Sequence, residues 1–207
     1  MALVAVGAIT LTRARSRAEL PYAAIPVLFG IQQCIEGGLW LALPGQPPTG
    51  PDPAVHLLTI AYLLFADVLW PALVPAAVWL VEPAPARRKA ILLTLAAGAA
   101  TSLYYLAALA THPVSAAIFG AHVSYRFSHE HETLAFVFYV VATCLAPLLS
   151  SYRTVRLLGA VIIGSMIAAY WIYLEWFASV WCFFAAVASV VVFLHFTIER
   201  PARTARG

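Results

Sequence analysis

Two carboxylates lie inside long apolar runs of this sequence, where ionisable side chains are rare. Glu36 falls within the run 21–43, and Asp67 falls within the run 55–81. An unpaired charge in hydrocarbon costs several kcal/mol, so carboxylates retained there usually bind a ligand, carry protons or catalyse a reaction. Each is therefore a candidate functional residue.

A polar stripe surrounds Glu36. Gln32 and Gln33 precede it by four and three residues, and Trp40 follows it by four. On a helix these spacings place all four side chains on one face. Two interpretations follow: the stripe lines a polar binding site, or its members hydrogen-bond neighbouring helices and hold a bundle together.

The later apolar runs repeat the pairing of an acid with aromatic side chains. Trp70 lies about one turn after Asp67, and Glu175 lies among eight aromatic residues between positions 170 and 184. Such a cluster forms either an aromatic belt at a membrane interface or an aromatic-lined cavity for an apolar ligand or a cationic intermediate. We include Asp67, Trp70 and Glu175 with the stripe as candidate binding residues.

Four histidines are candidate metal ligands, and two of them belong to a segment, 129–132, in which histidine and glutamate alternate. Imidazole nitrogens and carboxylate oxygens suit a divalent, zinc-like ion. On a helix His129 and His131 would face apart, so joint ligation requires an extended or turn conformation. The alternative is a solvated loop with scattered histidines. The candidates are His112, His122, His129 and His131.

Composition predicts the environment of these residues. Of the 207 residues, 63% are hydrophobic and only 10% are charged, whereas soluble domains carry roughly a quarter charged residues. The mean hydropathy is +0.88. We therefore predict one integral membrane domain over residues 1–207, with the lipid bilayer as its partner. No nucleic-acid partner is expected, because the basic residues are scattered between apolar segments; the oligomeric state is left open.

The apolar runs predict seven transmembrane helices. The first run has twelve residues, about 18 Å of a roughly 30 Å hydrocarbon core, so the first helix is expected to be short or truncated. Pro71 and Pro75 predict a kink after Trp70 in the third span. The runs are 1–12, 21–43, 55–81, 90–110, 134–149, and 157–197, the last divided near 175–179 into two spans.

The basic residues predict the orientation. Alternate connections between spans place one basic residue, Arg126, on one side and the other eleven of the twelve on the opposite side. Because basic residues concentrate in cytoplasmic loops, this pattern predicts an all-α seven-helix bundle in the cytoplasmic membrane, with the N-terminus outside and the C-terminus inside. The eleven are Arg13, Arg15, Arg17, Arg87, Arg88, Lys89, Arg153, Arg156, Arg200, Arg203 and Arg206.

Two motifs carry a resemblance to a family. Residues 29–40 (FGIQQCIEGGLW) and 180–186 (VWCFFAA) resemble a family of bacterial multi-pass membrane proteins of unknown function. The similarity extends over nearly the whole chain. Members usually begin with a Cys-Phe-Ser-Ala stretch that this chain lacks, which agrees with a shortened first helix. The resemblance implies no activity, but it places Gln32, Gln33, Glu36 and Trp40 in the family's most recognisable motif.

Two functional hypotheses follow. The first is a sensing, binding or transport protein with a polar site in the outer half of the bundle for a small molecule, a proton or a metal. The alternative is an enzyme acting on a lipid or isoprenoid, as an acid-catalysed cyclase using Glu36 or Glu175 or as a metal-assisted hydrolase. Both predict Glu36, Asp67 and Glu175 around one cavity; otherwise an accessory membrane subunit is favoured. Lys89, the only lysine, lies in a turn, which excludes a retinal Schiff base within a span.

Overall fold

A computed structural model describes residues 2–45, 52–120, 122–172 and 177–198 of the chain. These residues form seven helices and one β-hairpin, and each predicted span contains one helix. The elements are α1 (Ala2–Arg13), α2 (Leu20–Ala42), α3 (Pro53–Val81), α4 (Pro85–Thr111), β1 (Ser115–Phe119), β2 (His122–Arg126), α5 (Glu132–Leu148), α6 (Arg153–Ile172) and α7 (Phe177–Ala188 and Val190–Ile198).

Five of the helices are long and apolar enough to cross a membrane: α2, α3, α4, α6 and α7. The other two, α1 and α5, are apolar but shorter. Large apolar side chains also cover the outer surface of the bundle; Leu93 and Leu103 of α4, for example, are 74% and 69% exposed. Such a surface is typical of a protein surrounded by lipid rather than by water.

Helix α3 is irregular immediately before Pro71. Residues Leu64–Leu69 form a π-helical turn, and α5 has a similar turn at Val141–Leu145, two residues before Pro147. Proline has no N–H to donate, and its ring displaces the carbonyls of the preceding turn. The irregular turn in α3 therefore precedes Trp70, and the kink expected after Trp70 stays a prediction.

Neighbouring helices satisfy the carbonyls of this irregular turn. The hydroxyl of Tyr139 on α5 donates to the Ala66 carbonyl oxygen at 2.7 Å, and the hydroxyl of Ser102 on α4 donates to the Val68 carbonyl oxygen at 2.6 Å. Such bonds are required where lipid excludes water. Gly98 of α4 packs so closely that a Cβ atom there would overlap the Pro71 carbonyl oxygen. The side-chain bonds and the close backbone approach together hold α3, α4 and α5 in fixed register.

The connection between α4 and α5 contains the antiparallel hairpin, which an all-helical prediction does not include. Its pairing runs from Ser115 opposite Arg126 to Phe119 opposite His122. Val123 is buried against the helices, while alternate positions of β1 are exposed. The strands have only five residues each, which is too short for a clear sequence signal. We call the end of the bundle that carries this hairpin the hairpin end.

The opposite end, which we call the arginine end, is held together by short connections. The Glu82 carboxylate, after α3, accepts hydrogen bonds from the Ser150 hydroxyl (2.9 Å) and from the Ser151 backbone N–H (2.7 Å) and hydroxyl. Arg87 donates to the carbonyl oxygens of Leu149 and Ser150 at 3.1 and 2.9 Å. The α3–α4 and α5–α6 connections are therefore joined into one polar cluster.

Candidate ligand-binding cavity

A cavity of about 390 Å³ opens at the hairpin end, between α2, β2 and the first turns of α7. It combines one carboxylate with hydroxyl, amide, imidazole and aromatic groups. Helix α2 supplies its residues at intervals of three and four, which is the spacing of one helical face. The lining consists of Gln33, Glu36, Gly37, Trp40, His122, Ser179, Val180, Phe183 and Phe184.

Glu36 is the polar centre of this cavity and is only 6% exposed. Its Oε1 atom accepts hydrogen bonds from the Ser179 hydroxyl at 2.6 Å and from the Tyr125 hydroxyl at 3.4 Å. Within the described ranges, no donor makes a hydrogen bond of normal geometry to its Oε2, and no lysine or arginine is among the groups that interact with it. The carboxyl group is therefore oriented by two hydroxyls and has no basic partner among the described residues.

Tyr125 joins the hairpin to the helices. Its ring stacks on that of Tyr62 in α3, with centroids 4.2 Å apart and planes 3° from parallel. Burial, and then the nearby charge of Glu36, raise the pKa of the Tyr125 hydroxyl well above its usual range. The phenol therefore stays protonated near neutral pH and can act as a hydrogen-bond donor to the carboxylate.

Gln33 supplies a second polar group beside Glu36. It lies close enough to interact electrostatically with the carboxylate. Its Nε2 is buried, yet it has no hydrogen-bond partner of normal geometry in the described part of the chain. Buried amide groups almost always have a partner. The Gln33 amide thus lies beside the Glu36 carboxylate as a weak donor, without a hydrogen bond of normal geometry in the described residues.

Gln32 lies outside the cavity, in the helix interface next to it. Its Oε1 accepts a hydrogen bond from Trp70 Nε1 at 2.7 Å, and its Nε2 donates to Cys182 Sγ at 3.3 Å. The Trp70 ring stacks on Phe29 with centroids 3.8 Å apart. Gln32 and Trp70 therefore connect α2, α3 and α7, as expected of polar groups that hold helices together.

Of the other two predicted acids, Asp67 lies outside the cavity. Asp67 lies in the π-helical turn of α3, within electrostatic range of Tyr105 and Tyr139. It is not part of the cavity lining, and its side chain makes no hydrogen bond to another described residue. Glu175 lies outside the described residues.

The four predicted histidines are separated. His122 lines the cavity, and His112 lies just beyond α4, where its Nδ1 is 3.1 Å from the Ala108 carbonyl oxygen. His129 shares a 2.9 Å hydrogen bond with the Tyr104 hydroxyl, and His131 lines a different groove, between α4 and α5. The described ranges contain no group of three or more His, Cys, Asp or Glu residues that could hold a metal ion. Metal binding therefore stays a prediction without structural support.

Two residues that hold Glu36 were not predicted from the sequence. Ser179 lies in the first turns of α7, and Tyr125 lies in an unpredicted strand, 143 and 89 positions from Glu36. The available signal for Ser179 was weak: a hydroxyl in an otherwise apolar helix most often bonds its own backbone. For Tyr125 no local pattern indicated the contact.

Comparison with known proteins gives a family and no function. The whole chain, residues 1–207, matches a family described as "Family of unknown function (DUF6629)". Neither a curated protein nor a solved structure matches the chain. The family match fits the resemblance to an uncharacterised family.

Proposed function

Because the chain belongs to the DUF6629 family, whose function is unknown, we propose that it is a seven-helix membrane protein that binds a small molecule in the Glu36 cavity. The cavity faces the outside, and the protein acts there as a sensor, a binding protein or a transporter. The whole chain forms one integral membrane domain in the cytoplasmic membrane, with α1 and α5 as its shorter spans.

The distribution of basic residues supports this orientation. The connections at the arginine end carry Arg15, Arg17, Arg87 and Arg88, while the hairpin end carries Arg126. Basic connections stay preferentially in the cytoplasm. The hairpin and the cavity would then face outward, where a ligand can enter without crossing the membrane.

The observation that carries the binding proposal is the state of the Glu36 carboxylate. It is almost fully buried, receives two hydroxyl donors on Oε1 and has no basic partner within the described ranges. Burial of such a group without compensation destabilises a protein. A ligand that occupies the cavity offers the missing compensation.

A purely structural role explains Gln32 better than Glu36. Both polar atoms of the Gln32 amide are bonded to neighbouring helices. Glu36, one turn later, lines an open cavity instead. An amide at position 36 would hold helices together equally well without the cost of ionisation, so a carboxylate there is better explained by a ligand.

The alternative of an intramembrane enzyme has less support. Both functions predict Asp67 beside Glu36 in one cavity, and Asp67 is not part of the lining, so the binding proposal rests on Glu36 and its immediate neighbours alone. No contact in the described residues favours a lipid or isoprenoid as the substrate. Binding without chemical conversion is therefore the function we favour.

Native mass spectrometry with elemental analysis tests the proposal. The proteins compared are wild type, Glu36→Gln and, as a matched control, Asp67→Asn, which alters an intramembrane acid outside the cavity. We expect a bound small molecule in wild type and Asp67→Asn and its loss from a folded Glu36→Gln. An empty wild type, or equal occupancy in all three proteins, would contradict the proposal.

A further inference from the structure

We infer that the ligand of the Glu36 cavity is a small organic cation, an ammonium compound with apolar substituents and an oxygen near the charged nitrogen. This inference rests on the proposed function and specifies its ligand class. The juxtaposition that supports it is one carboxylate, one amide that makes no hydrogen bond of normal geometry in the described residues, and three partly exposed aromatic rings around a single small cavity.

The charge of the lining favours a cation. Among the described residues that line the cavity, Glu36 is the only acid, and none is a lysine or arginine. Arg126, the nearest basic residue along the hairpin, has an exposed side chain and is not part of the lining. An anion would be repelled by Glu36, and a neutral ligand would leave the carboxylate uncompensated. His122 is the other ionisable side chain in the lining, so it requires a control of its own.

The aromatic side chains favour a cation with apolar substituents over a bare metal ion. Trp40, Phe183 and Phe184 line the cavity and are 37%, 53% and 38% exposed. Aromatic faces attract organic ammonium groups and also bury their alkyl substituents. A metal ion would instead require several oxygen or nitrogen ligands, and the described residues provide no such group.

The cavity size and Gln33 refine the ligand class. A volume of about 390 Å³ lies near the lower end of small-molecule sites, which span roughly 300–1,000 Å³. The buried Nε2 of Gln33 interacts with Glu36 but makes no hydrogen bond of normal geometry in the described part of the chain, so it can donate to a ligand oxygen. An amino alcohol satisfies both groups, with its ammonium at Glu36 Oε2 and its hydroxyl at Gln33.

A pair of isosteric probes tests the charge requirement. Choline and 3,3-dimethyl-1-butanol have the same shape, but the second has a neutral carbon in place of the charged nitrogen. Binding of each to detergent-purified protein is followed by tryptophan fluorescence and by the thermal unfolding midpoint. We expect choline to bind wild type at least tenfold more tightly than the alcohol.

Variants test the assigned contacts. In Glu36→Gln we expect the preference for choline to fall by at least tenfold, with unchanged binding of the neutral alcohol. If Glu36→Gln does not fold, Trp40→Leu provides the test, because Trp40 is partly exposed and its loss should weaken choline selectively. Asp67→Asn should bind both probes like wild type. His122→Gln should also keep the preference for choline, because we assign that preference to Glu36.

The outcomes separate this inference from the proposed function. Equal binding of the two probes, tighter binding of the neutral one, or no binding of choline would overturn the ligand class. The proposed function would survive any of these results if mass spectrometry finds a Glu36-dependent ligand. An empty wild type that also binds neither probe would overturn both.

Discussion

Glu36 and Gln32 are one helical turn apart on α2, yet their surroundings differ. Successive residues of an α-helix are about 100° apart around its axis. Gln33 and Trp40 therefore lie to one side of Glu36, and Gln32 lies to the other. The first side faces the cavity, while the second faces Trp70 and the interface with α3 and α7. A stripe of similar residues thus divides between binding and packing.

The Ser179 hydroxyl is predicted to orient Glu36. In Ser179→Ala the buried carboxylate loses its 2.6 Å donor, and a hydrogen bond to such a group stabilises a protein by about 1–3 kcal/mol. We expect a lower free energy of unfolding and weaker ligand binding, measured by denaturant titration and mass spectrometry. Ser165→Ala is the control, because the Ser165 hydroxyl bonds only its own helix at the Ile162 carbonyl. Equal losses in the two variants would show that the Ser179 contact has no special role.

The candidate site could be predicted from the sequence only where one helix supplies it. Helical spacing predicted that Gln33, Glu36 and Trp40 share a face, and the three line the same cavity, because neighbours on one helix face are fixed by local geometry. Ser179 and Tyr125 could not be predicted, since their contacts depend on how separate elements pack. The spacing also could not show that Gln32 lies outside the cavity. The side chains of the stripe spread over about 100° around the axis of α2, which is wide enough to face both the cavity and a neighbouring helix.

At the scale of elements, the close contact between α3 and α4 depends on Gly98, which has no side chain. The Pro71 carbonyl oxygen occupies the space where a Cβ atom at position 98 would be. Proline residues at positions 71 and 75 also remove two backbone donors from α3. Neighbouring helices must therefore approach closely enough to satisfy the carbonyls that remain.

Gly98→Ala is predicted to destabilise the protein. The added methyl group would force α3 and α4 apart, and overpacking of this kind costs about 1–3 kcal/mol. Gly164→Ala in α6 is the matched control, because nothing lies within 4 Å of a Cβ atom there; it should be neutral or stabilising by roughly 0.5–1 kcal/mol. Thermal unfolding in detergent measures both. A Gly98→Ala protein as stable as the control would show that the two helices can separate without cost.

Glu82 is predicted to make stability depend on pH at the arginine end. Burial raises the pKa of its carboxyl, but hydrogen bonds from Ser151, Ala84 and Ser150 lower it by more, so the net pKa is lowered. Its contribution to stability is therefore complete above the ordinary carboxyl pKa, about 4.3, and is lost as the pH falls through the lowered value. The thermal unfolding midpoint of wild type should decrease as the pH is lowered below the ordinary carboxyl pKa, and that of Glu82→Gln should decrease less. Parallel pH profiles would exclude Glu82 as the cause.

At the scale of the whole molecule, hydropathy predicted the helices but neither the hairpin nor the irregular turns within the helices. Each predicted span contains one helix because lipid leaves the backbone few alternatives. The hairpin was not predicted, since five-residue strands give a weak pattern. The two π-helical turns were not predicted either, because they arise from the adjacent prolines together with donors on neighbouring helices.

The proposed orientation is tested by cysteine labelling. In intact cells a membrane-impermeant maleimide should label Glu130→Cys, at the hairpin end, and should label Arg88→Cys only after the membrane is opened. Wild type is the control for Cys34, whose side chain is exposed on α2, and for the buried Cys144 and Cys182. Labelling of Arg88→Cys but not Glu130→Cys in intact cells would reverse the topology and place the cavity in the cytoplasm.

The π-helical turn of α3 has a consequence for deletions. Removing one residue from an ordinary helix rotates everything beyond it by about 100° and moves a buried face out of contact. A π-helical turn holds one residue more than an α-helical turn, so deletion of Leu64 can convert Leu64–Leu69 to α-helix without rotating the rest of α3. Deletion of Leu93, an exposed residue of the regular helix α4, should abolish folding, whereas deletion of Leu64 should leave a monodisperse protein. Size-exclusion profiles distinguish the two deletion variants. If the deletion of Leu64 is tolerated, the π-helical turn is the place where α3 can change its length.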